Sequence, residues 1–219
     1  MNNDNQKLES LLAQGSQAME KGNFDTALQP FEQALFLSRE MKDKATETSL
    51  LNAIAFCYSN TKKPKKALKT YSQAAQLLKD LGNKEGESMI HNNIGLLNVS
   101  LKKYDNALNS FKISADLFDQ MEDKKGKALQ LQNIGSVYRD RLESKNALES
   151  YFKSIALFEE IGDQMGVAVQ SSNIGYIYAV DKDTEKALPW LNKALKLFEE
   201  LNENEMVELT KQNISQLSI

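Results

Sequence analysis

The amino-acid sequence predicts an all-α protein built from five helix hairpins and a closing helix, and three observations carry that prediction. Turn-forming residues are scarce: 10 Gly and 3 Pro in 219 residues, about half the roughly 12% of an average protein. An all-β chain needs turn signals about every 8–12 residues, and this one lacks them. One pattern recurs in steps of 40 residues along the whole length. Within each recurrence the apolar residues fall at i, i+3, i+4 and i+7, the spacing that lines one face of a helix.

The first unit, 6–43, shows the second-helix pattern Ala27, Leu28, Phe31, Ala34 and Leu37. Its first helix departs from the others, with Gln14 where later units have Ile and Ala18 where an aromatic is expected. The second unit, 46–83, carries Ile54-Ala55 and then Ala67-Leu68, Tyr71, Ala74 and Leu77. The third, 86–123, repeats Ile94-Gly95 and Ala107-Leu108, Phe111, Ser114 and Leu117, with His91 and Asn98 at positions that are Leu and Tyr in the fourth. The fourth, 126–163, reads Leu131, Ile134-Gly135, Tyr138, Ala147-Leu148, Tyr151, Ser154 and Leu157. The fifth, 166–203, has Ile174-Gly175, Ala187-Leu188, Leu191, Ala194 and Leu197. The remainder, 205–218, repeats the first-helix register but sets Lys211, Gln212, Ser215 and Gln216 along it, a polar cap on the stack. One hairpin buries too little apolar surface to fold alone, so the units must stack, and 1–219 reads as a single domain.

Local signals agree with this division. Asp25, Asp105 and Glu185 open second helices, where a carboxylate favours the helix dipole. Gly82 and Gly162 mark the ends of units, where a helix closes on a left-handed residue. Gly95, Gly135 and Gly175 are expected to let two helix backbones approach closely, and Pro30 and Pro189, inside second helices, to kink them.

Composition narrows the function. With 27 basic and 30 acidic side chains and a net charge of −3, the chain has no basic excess to meet nucleic-acid phosphates. It has one cysteine, Cys57, and one histidine, His91, so neither an internal disulfide nor a metal site is expected. No apolar run is long enough to insert in a membrane. Met1–Lys7 is polar and unlike a secretory leader, which points to the cytoplasm. No phosphate-binding glycine loop and no nucleophile with a plausible base occurs, so neither an enzyme nor a cofactor is expected. Lys62, Lys63, Lys65, Lys66 and Lys69 make a basic turn around Pro64, read first as a solvated loop, and Trp190 is either a packing filler or an exposed anchor.

The order Leu131, Ile134-Gly135, Tyr138, Ala147, Tyr151, Ser154, recurring in phase over the chain, resembles the tetratricopeptide repeat. The usual unit of that family is about 34 residues. The longer Asn-Ile-Gly variety here is similar to the repeats of kinesin light chains, of LGN-type polarity adaptors and of peptide-sensing regulators of Gram-positive bacteria. The resemblance implies a right-handed α-solenoid whose first helices line a concave groove, and a groove that holds an extended peptide or a partner's helix.

The candidate site follows from one series: Asn93, Asn133, Asn173 and Asn213, with Ala53 in the second unit's place. Each stands one residue before the core Ile, so it points roughly 100° away from the core. A carboxamide offers both donor and acceptor and so can pair with peptide N–H and C=O groups. First helices about 8–10 Å apart would present one amide to about every third residue of an extended segment. The other reading is that these amides bond only to neighbouring helices or water. Asn52, Asn92 and Gln132, with Ser172, widen the polar strip, and Phe56, Leu96, Ser136 and Tyr176 flank it. Arg139 is the one cation there, set either to meet a ligand carboxylate or to pair with Asp140. The expected function is a monomeric binding module for a peptide or protein partner, an adaptor or scaffold. A peptide-responsive signalling regulator and a structural oligomer stacking through its ends are the alternatives.

Overall fold

The computed structural model describes residues 2–217. Among them the chain is all helix and turn: α1 (Asn2–Glu20), α2 (Phe24–Glu40), α3 (Lys44–Asn60), α4 (Pro64–Asp80), α5 (Lys84–Ser100), α6 (Tyr104–Gln120), α7 (Lys124–Asp140), α8 (Ser144–Glu160), α9 (Gln164–Val180), α10 (Thr184–Glu200) and α11 (Asn204–Gln216). The expected cap, 205–218, corresponds to α11, with residue 218 outside the described residues.

Every turn is built alike. A left-handed residue recurs every 20 positions, at Gly22, Gly82 and Gly162 but also at Lys42, Lys62, Lys102, Glu122, Leu142, Lys182 and Asn202, with φ between 55° and 72°. The sequence flagged only two of the glycines. The other seven adopt it at a cost of about 1–2 kcal/mol each, and at six of them, all but Lys102, the N–H of the following residue closes the helix. Thus Asp43 N–H donates to Ser38 C=O and Asp163 N–H to Phe158 C=O, each at 2.9 Å, the six-to-one bond that ends a helix on a left-handed residue. The same residue then opens the next helix. The carboxylates of Asp43, Asp123, Asp163 and Asp183 and the carboxamide of Asn83 accept the backbone N–H three residues on, satisfying a donor the helix leaves orphaned.

At Asp163 the Lys125 ammonium, 2.9 Å away, and the Gly166 N–H hold the carboxyl below its ordinary value. Because its folded-state pKa is depressed, its contribution is complete above about pH 4 and lost as pH falls through the folded value. Asp163→Ala is expected to cost about 1 kcal/mol at pH 7. The gap from the parent protein should shrink in denaturation curves at pH 3, and an equal gap at both pH values would show that the charge is irrelevant.

The chain divides into two compact units, Met1–Lys102 and Lys103–Ile219. In the first, α1 to α5 pack each on the next. Leu11, Phe31, Leu50 and Ile54 form one core, and Leu51, Tyr71, Leu78 and Ile90 another. In the second, α6 to α11 do the same, around Tyr151, Ile155, Phe158 and Ile174 and around Ala168, Ala194, Phe198 and Val207.

The glycines make room in two ways. A Cβ on Gly135 would lie 2.6 Å from Cε1 of Tyr151, and one on Gly175 2.7 Å from Cγ of Leu191. At Gly175 the backbone N of Leu191 also lies 3.1 Å from the added Cβ, the close backbone approach expected, whereas Gly135 makes room for a large side chain of the second helix. Gly15 does the same for Phe31. Helices α2 and α10 each continue through their internal proline, Pro30 and Pro189.

Candidate functional site

The first helices of the hairpins, α3 and α5 in one unit and α7, α9 and α11 in the other, carry the residues singled out above. In the first unit Asn93 Nδ2 donates to Asn52 Oδ1 at 3.1 Å, tying α5 to α3. Asn92 is half-buried beside them. Below this pair lies a cleft of about 310 Å3 lined by Phe56, Ser59 and Asn60 of α3 and by Asn93 and Leu96 of α5. Phe56 is 41% exposed, and its ring packs edge-on against Phe24 with centroids 5.7 Å apart.

In the second unit Gln170 Nε2 donates to Gln132 Oε1 at 2.5 Å, and Asn173 Nδ2 approaches Gln170 Oε1 at 3.4 Å. Asn133 is half-buried on the same face. A second cleft, of about 290 Å3, is lined by Tyr176, Ala179 and Val180 of α9 and by Asn213 and Gln216 of α11. Its members stand in the same repeat register as the first: Tyr176 for Phe56, Val180 for Asn60, Asn213 for Asn93. Each unit therefore contains a cleft with an aromatic ring on one helix and an asparagine on the next.

Two expectations are refined. The carboxamides of Asn52, Asn93, Gln132 and Asn173 do not stand apart as separate rungs but bond sideways to one another or to Gln170. A primary amide has two donors and an acceptor with two lone pairs, so one sideways bond holds its plane and leaves capacity for a ligand. Arg139 donates to Asp140 Oδ1 from Nε at 3.2 Å and from Nη2 at 3.0 Å, the internal pairing of the two considered. Sequence reasoning missed Gln170, fully buried at a position that is Leu50 or Ile90 in other hairpins. A glutamine in an apolar stripe at both 130 and 170 was the available signal.

Burial pushes the Cys57 thiol up to about 11, so it stays protonated at neutral pH. His91 is half-buried, with its pKa lowered by desolvation, 3.9 Å from Glu87. Among the described residues no group of three or more His, Cys, Asp or Glu side chains is placed to hold a metal, and no helix is long and apolar enough to cross a membrane. Lys63 of the basic turn pairs with Asp25 at 2.7 Å, and Lys66 lies over the Tyr58 ring. Trp190 packs edge-on against Phe152 and under Lys193, so it fills space between second helices.

No family model and no curated protein matches the sequence. Solved structures match the fold. BtubC (BKLC) from P. vanneervenii superposes with a TM-score of 0.76 at 20% identity, covering 89% of this chain and 80% of that one. Aspartyl phosphate phosphatase F from Bacillus subtilis gives 0.85 at 15% identity, over 97% of this chain and 56% of the other. The nearly identical TPR-like repeats named for a kinesin light chain of Podosopora anserina give 0.72 at 9% identity, over 89% of this chain and 96% of that one. The present chain spans little more than half of the phosphatase. At these identities the likeness is one of fold, and the fold is that of the tetratricopeptide-like helical repeats.

Proposed function

We propose that the protein is a cytoplasmic interaction module, an adaptor or scaffold, that grips an extended segment of a protein partner along the faces of its first helices. The observation that carries this reading is the pair of clefts in one register, each joining an aromatic ring to an asparagine. The ring supplies an apolar contact and the amide pairs with the partner's backbone without reading its side chains. The polar row Lys211, Gln212, Ser215 and Gln216, exposed on α11, supports a monomer, because it gives a further hairpin no apolar surface.

The test is capture of partners from the native host by the parent protein and by the Asn93→Ala/Asn213→Ala variant. Each lost hydrogen bond is worth about 0.5–1.5 kcal/mol, so capture should fall about tenfold while the circular dichroism of the variant stays that of the parent. Unchanged capture would remove the amides from the mechanism.

A further inference from the structure

The faces that carry the two clefts share a property that neither cleft shows alone. Along each first helix they comprise the residues at 49, 52, 53, 56, 59 and 60 of α3 and their counterparts every 40 residues on, spacings that keep to one side of a helix. On α3, α5, α9 and α11 none of these described positions carries a charge, in a chain that is 26% charged. On α7 the only two are Arg139 and Asp140, which neutralise each other. Beyond that pair, charge appears at these positions only on α1, at Glu9 and Glu20.

The same faces leave apolar surface open. Met89 and Leu96 of α5 are 56% and 50% exposed. In the second unit Leu129, Val180 and Leu209 are likewise exposed. Met89, Leu129 and Leu209 share one repeat register, as Phe56 and Tyr176 share another. With those two rings, the faces hold half of the large exposed hydrophobic side chains among the described residues. On this side Glu85, Lys125 and Glu205 are confined to the first turn, and apolar surface gathered beyond them where charge is excluded marks a surface that a partner covers, whereas the second helices expose Lys65, Lys69, Lys153 and Lys196.

Resting on the peptide-gripping reading, we infer that a segment bound at either cleft is itself uncharged, with an aliphatic or aromatic side chain entering that cleft and an amide backbone meeting the carboxamide beside it. A charged residue on the segment would lose its water shell here with no counter-charge to receive it. Arg139 does not change this, because Asp140 already occupies its guanidinium.

The experiment is selection of a phage-displayed library of random decapeptides on the immobilised full chain. The selected sequences should lack Asp, Glu, Lys and Arg at their central positions and carry Leu, Phe or similar residues there. The Kd of a synthetic copy of the best of them should change less than twofold between 50 and 500 mM NaCl, and one central Glu or Lys should weaken it at least tenfold. Phe56→Ser/Tyr176→Ser, at exposed positions that leave the fold intact by circular dichroism, should weaken it to a similar extent. Enrichment of charged peptides whose binding still depends on Phe56 and Tyr176 would overturn the ligand class and keep the site. Peptides that bind regardless of those residues, or a library that yields no binder, would overturn the site together with it.

Discussion

Tyr151→Ala is expected to destabilise the protein by about 3–5 kcal/mol, the range for emptying a buried aromatic position. The ring is fully buried between α7 and α8. It fills the space that Gly135 leaves, and its hydroxyl lies 3.2 Å from Ser136 Oγ. Burial raises the phenol's pKa, so it is neutral at working pH and the loss is one of packing and a single hydrogen bond. Tyr151→Phe should recover all but about 1 kcal/mol. Urea denaturation of the three proteins measures this, and a Tyr151→Ala loss below 1 kcal/mol would mean that the hairpin collapses around the gap.

Gly135→Ala is expected to destabilise by about 1–2 kcal/mol. The sign is the point, because replacing a mid-helix glycine by alanine ordinarily gains about 1 kcal/mol. Here the new methyl would stand 2.6 and 2.7 Å from two carbons of the Tyr151 ring, which is buried too deeply to swing away, and such overpacking costs about 1–3 kcal/mol. Ala55 occupies the equivalent place opposite Tyr71, so the combination is permitted where the hairpin is built for it; α7 and α8 are built around a glycine. In a Tyr151→Ala background the same substitution should become neutral or stabilising, the signature of a direct contact in a double-mutant cycle. A gain of stability in the parent background would refute the steric reading.

Much of this architecture was legible because a period that recurs five times reveals its register without any single strong signal. The apolar stripes through Phe31, Tyr71 and Tyr151 identified both the helices and their buried faces, which the structure bears out. The turns were less visible. A left-handed residue is obvious when it is Gly82 and hidden when it is Leu142, where the geometry is imposed by the hydrogen bonds on either side. The glycine stripe explains itself only in part, since sequence shows that space is needed but not which group takes it: a ring at Gly135, and both side chain and backbone of Leu191 at Gly175. The asparagine series shows by its period, whereas bonds to neighbouring helices stand in the sequence only as the alternative, without partners. Gln132 and Gln170 lie 38 residues apart, off the 40-residue step, and a pair formed between two helices leaves no trace in either helix alone. The uncharged faces were written in the sequence throughout, although they stand out only once the buried side of each helix is fixed.

Asp43, Asn83, Asp123 and Asp163 each finish one helix with a backbone N–H and start the next with a side chain. These residues are therefore interchangeable seams. A gene that loses or doubles the stretch from one of them to the next rejoins ends that already match, so such a chain can grow or shrink in whole hairpins without a new junction having to evolve. A deletion half as long would bring a first helix where a second belongs, and selection would see it at once.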